Sequence, residues 1–213
     1  MRAPAITPIA VPELHPLDRV PARVQRLNRI ARWVSNATHP PIVGVMCVVL
    51  SGLASTKLSV WLWGVEYLAI AVLIPMVFVV WMVKRGEITD MQLPNRHQRI
   101  KPYCIALICM GMAALSLQVF HAPKLLVQIA WANVIQTFIL FVVTLRWKIS
   151  AHTASIAGMA VLACRLMGLP ALPFVAMVPF VAWSRVRLGR HDAWQTIAGA
   201  CAGSAVTALA LSV

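Results

Sequence analysis

Seven apolar stretches, broken only by short turns and three basic islands, constrain what this 213-residue chain can fold into more than any other feature. They run Pro41–Thr56, Ser59–Val83, Tyr103–Phe120, Leu125–Leu145, Thr153–Met167, Pro170–Trp183 and Ala193–Val213. About 20 apolar residues, within a range near 17–25, carry a helix across the hydrocarbon core of a bilayer. Backbone polar groups find no water there, so each must pair within its own helix. The stretches therefore predict an all-α protein, a polytopic transmembrane helix bundle of six or seven spans, with seven the count adopted. Pro170–Trp183 is the weakest stretch, interrupted by Pro173 and Pro179, and needs its flanking turns to reach span length. Gly199 and Gly203 form a small-xxx-small pair in the last stretch, a signature of close helix packing.

Composition agrees with a membrane solvent. Hydrophobic residues make up 60% of the chain and charged residues 12%, about half the share of an average soluble domain. Nineteen Lys and Arg oppose six Asp and Glu, giving a net charge of +13. The cations sit between apolar runs, which points to anionic lipid headgroups and phosphates and away from nucleic acid. Cys47, Cys104, Cys109, Cys164 and Cys201 lie in apolar stretches with no CxxC pair and read as free thiols.

The chain divides at about residue 40. Pro4, Pro8, Pro12, Pro16 and Pro21 break up the first twenty residues, so no cleavable leader is predicted and the first span is expected to act as the insertion signal. Residues 1–17 read as an extended, Pro-rich tail. In residues 18–34, Val20, Val24, Leu27, Ile30 and Val34 recur at helical spacing, with Arg19, Arg23, Arg26, Arg29 and Arg32 between them. That pattern predicts an interfacial amphipathic helix, which lies either on an anionic membrane surface or on the protein's own polar face. Residues 41–213 form the transmembrane domain.

The first island, Lys84–Pro102, carries Asp90, Arg96, His97, Arg99 and Lys101. The second carries Arg146, Lys148, Ser150 and His152; the third carries Ser184, Arg185, Arg187, Arg190, His191, Asp192 and Gln195. Two spans separate the first island from the second, and two more separate the second from the third. An even number of crossings returns the chain to the same face. All three islands, and the N-terminal segment, are therefore expected on one side.

A phosphate monoester carries up to two negative charges, and the forked guanidinium of Arg suits it. Breaking the ester without a metal requires a nucleophile and an acid, and two histidines can fill both roles. A third group should orient the nucleophilic ring through its other nitrogen. Fixed cations and backbone N–H groups stabilise the charge that develops on the phosphoryl oxygens. His152 and His191 each begin an apolar span, at a helix N-terminus that favours an anion. Arg96 and Arg99 share a face of a helical turn. No His/Asp/Glu cluster has metal-ligand spacing, so neither metal nor other cofactor is expected.

The islands resemble the three motifs of the type 2 phosphatidic acid phosphatases, a family of integral membrane lipid phosphatases. That family's third motif reads S-R, five residues, H, three residues, D, and this chain has Ser184-Arg185, His191 and Gln195 at that spacing. The second motif, P-S-G-H, corresponds to Ile149-Ser150-Ala151-His152. The first, K, six residues, R-P, is represented by Lys101-Pro102, with Pro94 where the Lys belongs. The resemblance spans the chain from the first island to its end. It implies that His191 is the nucleophile and His152 the general acid. It also implies that Ser184, Arg185, Ser150 and the backbone at Ala151 cradle the phosphate, while Arg96, Arg99, Lys101 and Lys148 supply further cations. Gln195 replaces the expected Asp; its carbonyl oxygen can accept the ring N–H of His191 but cannot neutralise an imidazolium.

The implied activity is hydrolysis of a lipid phosphate, either a polyprenyl phosphate or diphosphate or a phosphatidate-type lipid. A binding or transport protein that kept the cradle without the chemistry is the alternative. A prenyl transferase would need Asp-rich magnesium sites, which the two Asp in the first and third islands, Asp90 and Asp192, do not provide. His15, His39 and His121 read as interfacial polar residues, and His97 as either interfacial or part of the site. Lys84, Arg85, Arg187 and Arg190 read as topology determinants, and Trp61, Trp63 and Trp81 as interface anchors. Glu66, inside the second stretch, either snorkels or serves a site. Sixteen of the nineteen cations fall on the island side, so the positive-inside rule places the site on the cytoplasmic face of the cell's inner membrane.

Overall fold

Each apolar stretch folds as a helix, because a backbone without water must satisfy itself locally. The structure is a computed structural model that describes residues 21–55, 57–88, 98 and 100–212. No strand occurs among the described residues. The helices are α1 (Ala22–Ala37), α2 (Pro40–Leu53), α3 (Leu58–Leu68), α4 (Ile74–Lys84), α5 (Ile100–Val119), α6 (Lys124–Thr144), α7 (Ala151–Met167), α8 (Leu172–Arg187) and α9 (Ala193–Ser212). A π-helical turn, Ala69–Leu73, joins α3 to α4 without a break. It lies just ahead of Pro75, which has no N–H to return to Ala71, so the helix loosens there.

Five units are long and apolar enough to cross a bilayer: Leu58–Lys84, α5, α6, Leu169–Arg187 and α9. α1 and α2 together make a sixth candidate, bent by 56° at their link. The Pro-interrupted stretch thus reaches span length, since the turn Leu169–Ala171 leads into α8 and Pro179 is tolerated inside it. Large apolar side chains face outward from many of the helices, among them Leu62, Val65, Met112, Phe138 and Leu209. Such a surface suits lipid and not water.

α7 is shorter, at 17 residues, and is the best-buried helix. His152, Thr153, Ala154, Ile156, Ala157, Gly158, Met159, Ala160, Leu162 and Ala163 are all buried, enclosed by α2, α8 and α9. Neighbouring helices enclose α7 more fully than they enclose the others, which accords with its small side chains. α9 runs alongside it in the same direction. A Cβ on Gly199 would strike the Ser150 carbonyl, and one on Gly203 would strike the Ala154 backbone. The GxxxG pair is therefore the seam that lets two backbones touch.

Alternating helix direction gathers the described parts of all three islands at one end of the bundle. Ser150 N–H donates to the Gln195 carbonyl (3.2 Å), tying the second island to the third. Pro102, which closes the first island, and Tyr103 after it face the same cavity as His152, Arg185 and His191. α1 reaches this end as well. It packs on α8 with Ala31, Val34 and Ser35 buried, while Arg23, Arg26, Arg29 and Arg32 stay exposed. The N-terminal tail, Val20, Asp90, Arg96, His97 and Arg99 lie outside the described residues.

Candidate active site

The turn after α8 sets the first part of the site. Gly189 takes φ +64°, the left-handed region where glycine carries no Cβ penalty. The chain then folds back, and the N–H groups of Arg190 and His191 both reach the Arg185 carbonyl (3.0 and 3.4 Å). His191 is thereby held beside the helix that bears Arg185. Asp192 caps α9, its Oδ1 accepting the Gln195 N–H at 2.8 Å. That bond fixes Gln195 one turn beyond His191, and Gln195 Oε1 lies 2.9 Å from His191 Nδ1. With the amide oxygen accepting, Nδ1 carries the ring proton and Nε2 presents its lone pair.

The start of α7 supplies the second part. Ser150 caps the helix by accepting the Thr153 N–H at 3.4 Å. His152, in the first turn, is 6% exposed and hydrogen bonds the Ser35 backbone. Its Nε2 is buried with no hydrogen-bond partner among the described residues. Nitrogens left in that state are uncommon and ask for a functional reason. Arg185 is 2% exposed, and its guanidinium donates to Ser35 Oγ at 2.6 Å. Arg185, His39 and His191 all lie within electrostatic reach of the His152 ring. The N-termini of α2, α7 and α9 meet here too, adding their dipole ends to the positive field.

These groups form the polar mouth of a cavity of about 290 Å³. Below the mouth the walls are mostly apolar, with Val43, Met76, Val79, Met110, Ile129, Leu140, Met159 and Leu162 among them. A buried cation and two imidazoles over an apolar slot can hold an anionic headgroup while its chains lie among the helices. Among the described residues no group of three or more His, Cys, Asp or Glu side chains is arranged to hold a metal ion.

The structure brings together His152, His191, Arg185 and Ala151 around the cavity, with Gln195 directly behind His191. It does not bring in every expected ligand. Ser184 is fully buried, and its hydroxyl donates to the Val181 carbonyl (2.8 Å) of its own helix. Ser150 is buried in its capping role, so both serines shape backbone and neither lines the cavity. Lys101 is exposed and paired with Glu87 at 2.9 Å, and Lys148 is half-buried; both stand outside the lining. Glu66 accepts a 2.6 Å bond from Ser116 and takes no part in the site.

His39, expected to be merely interfacial, stands in the site. Its ring meets His152 edge-on, with centroids 5.2 Å apart. The bend between α1 and α2 turns it inward, and burial, then the Arg185 guanidinium, lowers its pKa below the ordinary imidazole value. The sequence held a usable signal, since His39 precedes Pro40-Pro41 at the start of a span on the island side. Ser35 carried no such signal, because only the docking of α1 on α8 brings it to Arg185. No protein-family model, no curated protein and no solved structure matches this chain.

Proposed function

We propose that this chain is an integral membrane phosphatase that hydrolyses a lipid phosphate through a phosphohistidine, as a divergent relative of the type 2 phosphatidic acid phosphatases. The observation that carries the reading is the meeting of buried Arg185, His152 and Gln195-bound His191 at the mouth of an apolar cavity. Arg185 binds the phosphoryl oxygens. His191 Nε2 attacks phosphorus, and the bond from phosphorus to the lipid oxygen breaks. His152 gives its proton to the departing oxygen. A bound phosphate dianion favours the protonated form of His152 for this step. Water, giving its proton to His152, then displaces His191 from phosphorus and releases inorganic phosphate. No metal takes part in this scheme. All seven stretches cross the inner membrane, with the site and the basic face of α1 on the cytoplasmic side.

Phosphate release from a panel of lipid phosphates tests it. Wild type should work in excess chelator and be inhibited by vanadate. His191→Ala and His191→Asn should both fall to background, and full activity in either variant would sink the mechanism. A second reading is favoured by Gln195, which supplies no charge to stabilise an imidazolium: the site would bind a lipid phosphate without cleaving it. Saturable binding with no phosphate released from any lipid would establish that alternative.

A further inference from the structure

The hydrolytic reading leaves one part of the cavity unused. Below the mouth, the apolar wall turns polar again. Gln136 on α6 is 7% exposed and Thr207 on α9 is 8% exposed, and both line the cavity. Neither side chain hydrogen bonds any other described residue. They flank Gly158 of α7: a Cβ there would lie 2.7 Å from Thr207 Oγ1 and 3.3 Å from Gln136 Oε1. The missing side chain at 158 is what lets these two groups come up against α7 where it lines the cavity. Asn133, one turn from Gln136, also faces the cavity and donates to Tyr67 Oη at 2.9 Å.

An amide with no protein partner at a buried site is costly unless something in the cavity completes its bonds. A residue kept in that state calls for a ligand that completes its bonds. Gly158 follows His152 by six residues, which places the polar wall about 9 Å along the helix axis from the site. A phosphate held by Arg185 would lower its lipid portion past this depth. In a glycerolipid, the first hydrogen-bonding groups below the phosphate are the carbonyls of the acyl esters. An isoprenoid chain offers none.

We propose that Gln136 and Thr207 form a carbonyl-recognising subsite, donating an amide N–H and a hydroxyl to an acyl ester of the bound lipid. The proposal takes the position of the headgroup from the phosphatase reading, but binding tests it independently of turnover. The probes are dioleoylglycerol phosphate and its dialkyl ether analogue, which lacks only the carbonyls. Retention of each by the purified protein is read by native mass spectrometry, alongside phosphate release. Wild type should retain the diester about five- to tenfold better than the diether, the range expected for one or two hydrogen bonds. Gln136→Leu should remove most of that preference by weakening diester retention more than diether retention, and should keep or raise the melting temperature, since it deletes an amide with no protein partner. The isosteric Thr207→Val should reduce the preference in part. Equal retention of diester and diether by wild type would overturn the subsite, as would an undiminished preference in Gln136→Leu. If both lipids release phosphate equally well and are retained equally, the subsite fails and the phosphatase stands. If the diester is preferred and no lipid releases phosphate, the subsite stands and the phosphatase fails.

Discussion

Gln195 stands where the proposed family relationship would place an Asp. Its Oε1 holds the His191 ring at 2.9 Å, so the geometric part of the orienting role is present. The electrostatic part is not, since an amide cannot balance the imidazolium that the proposed attack by this ring would form. Gln195→Asp should therefore keep or raise turnover, because a carboxylate favours the charged ring. Gln195→Leu should lower it about ten- to a hundredfold, the worth of a hydrogen bond to a group that becomes charged. Steady-state phosphate release checks both, and unchanged turnover in Gln195→Leu would remove the orienting role altogether. Arg185 shows a different dependence: its guanidinium is steadied by Ser35, 150 positions away in the chain, so the cation proposed to bind phosphate depends on α1 staying docked.

At the scale of elements, the seam between α7 and α9 carries the site. Ser150 and Gln195 are bonded across its upper end, and Gly199 and Gly203 bring the two backbones into contact below. Gly203→Ala would press a methyl group onto the Ala154 backbone, which cannot swing aside as a side chain can. A loss of about 2–3 kcal/mol is expected from overpacking of this kind. It should appear as a lower melting temperature in detergent and, because the seam sets the distance from His152 to His191, as reduced phosphate release. Gly111 is the control: a Cβ there meets nothing within 4 Å, so Gly111→Ala in the middle of α5 should be neutral or slightly stabilising. Equal effects from the two variants would mean that the seam is not a close contact.

For the whole molecule, the question is which way it faces. By crossing parity in the sequence, sixteen Lys and Arg belong to the side of the islands and the N-terminal segment, against Lys57, Lys124 and Arg165 on the other. A phosphate site gathers cations for its own reasons, so the fair comparison sets aside seven: Arg96, Arg99, Lys101, Arg146, Lys148, Arg185 and one of Arg187 or Arg190. Nine still oppose three, and on the positive-inside rule the proposed site is expected on the cytoplasmic side. Single cysteines in a background lacking the five native thiols check this. An impermeant maleimide should label Lys124→Cys from outside intact cells, and should reach Glu87→Cys only once the membrane is opened. The reverse pattern would place the site on the outer face.

The sequence by itself determined the features that are properties of a line. Hydrophobic run length gave the helices, crossing parity gave a common end for the islands, and the resemblance of residues 184–195 to a family motif implied the pairing of His191 with Gln195. None of these requires knowing how helices lean on one another. Tertiary structure decided the rest. The 56° bend at the α1–α2 link turned His39 into the site, and the packing of α1 on α8 delivered Ser35 to Arg185. Helix geometry turned the hydroxyls of Ser150 and Ser184 onto their own helices, away from the cradle their motif positions suggested. The polar wall of Gln136 and Thr207 exists only because Gly158 faces both from a third helix. Such meetings depend on angles and contacts between elements far apart in the chain, which hydrophobic pattern and local spacing do not encode.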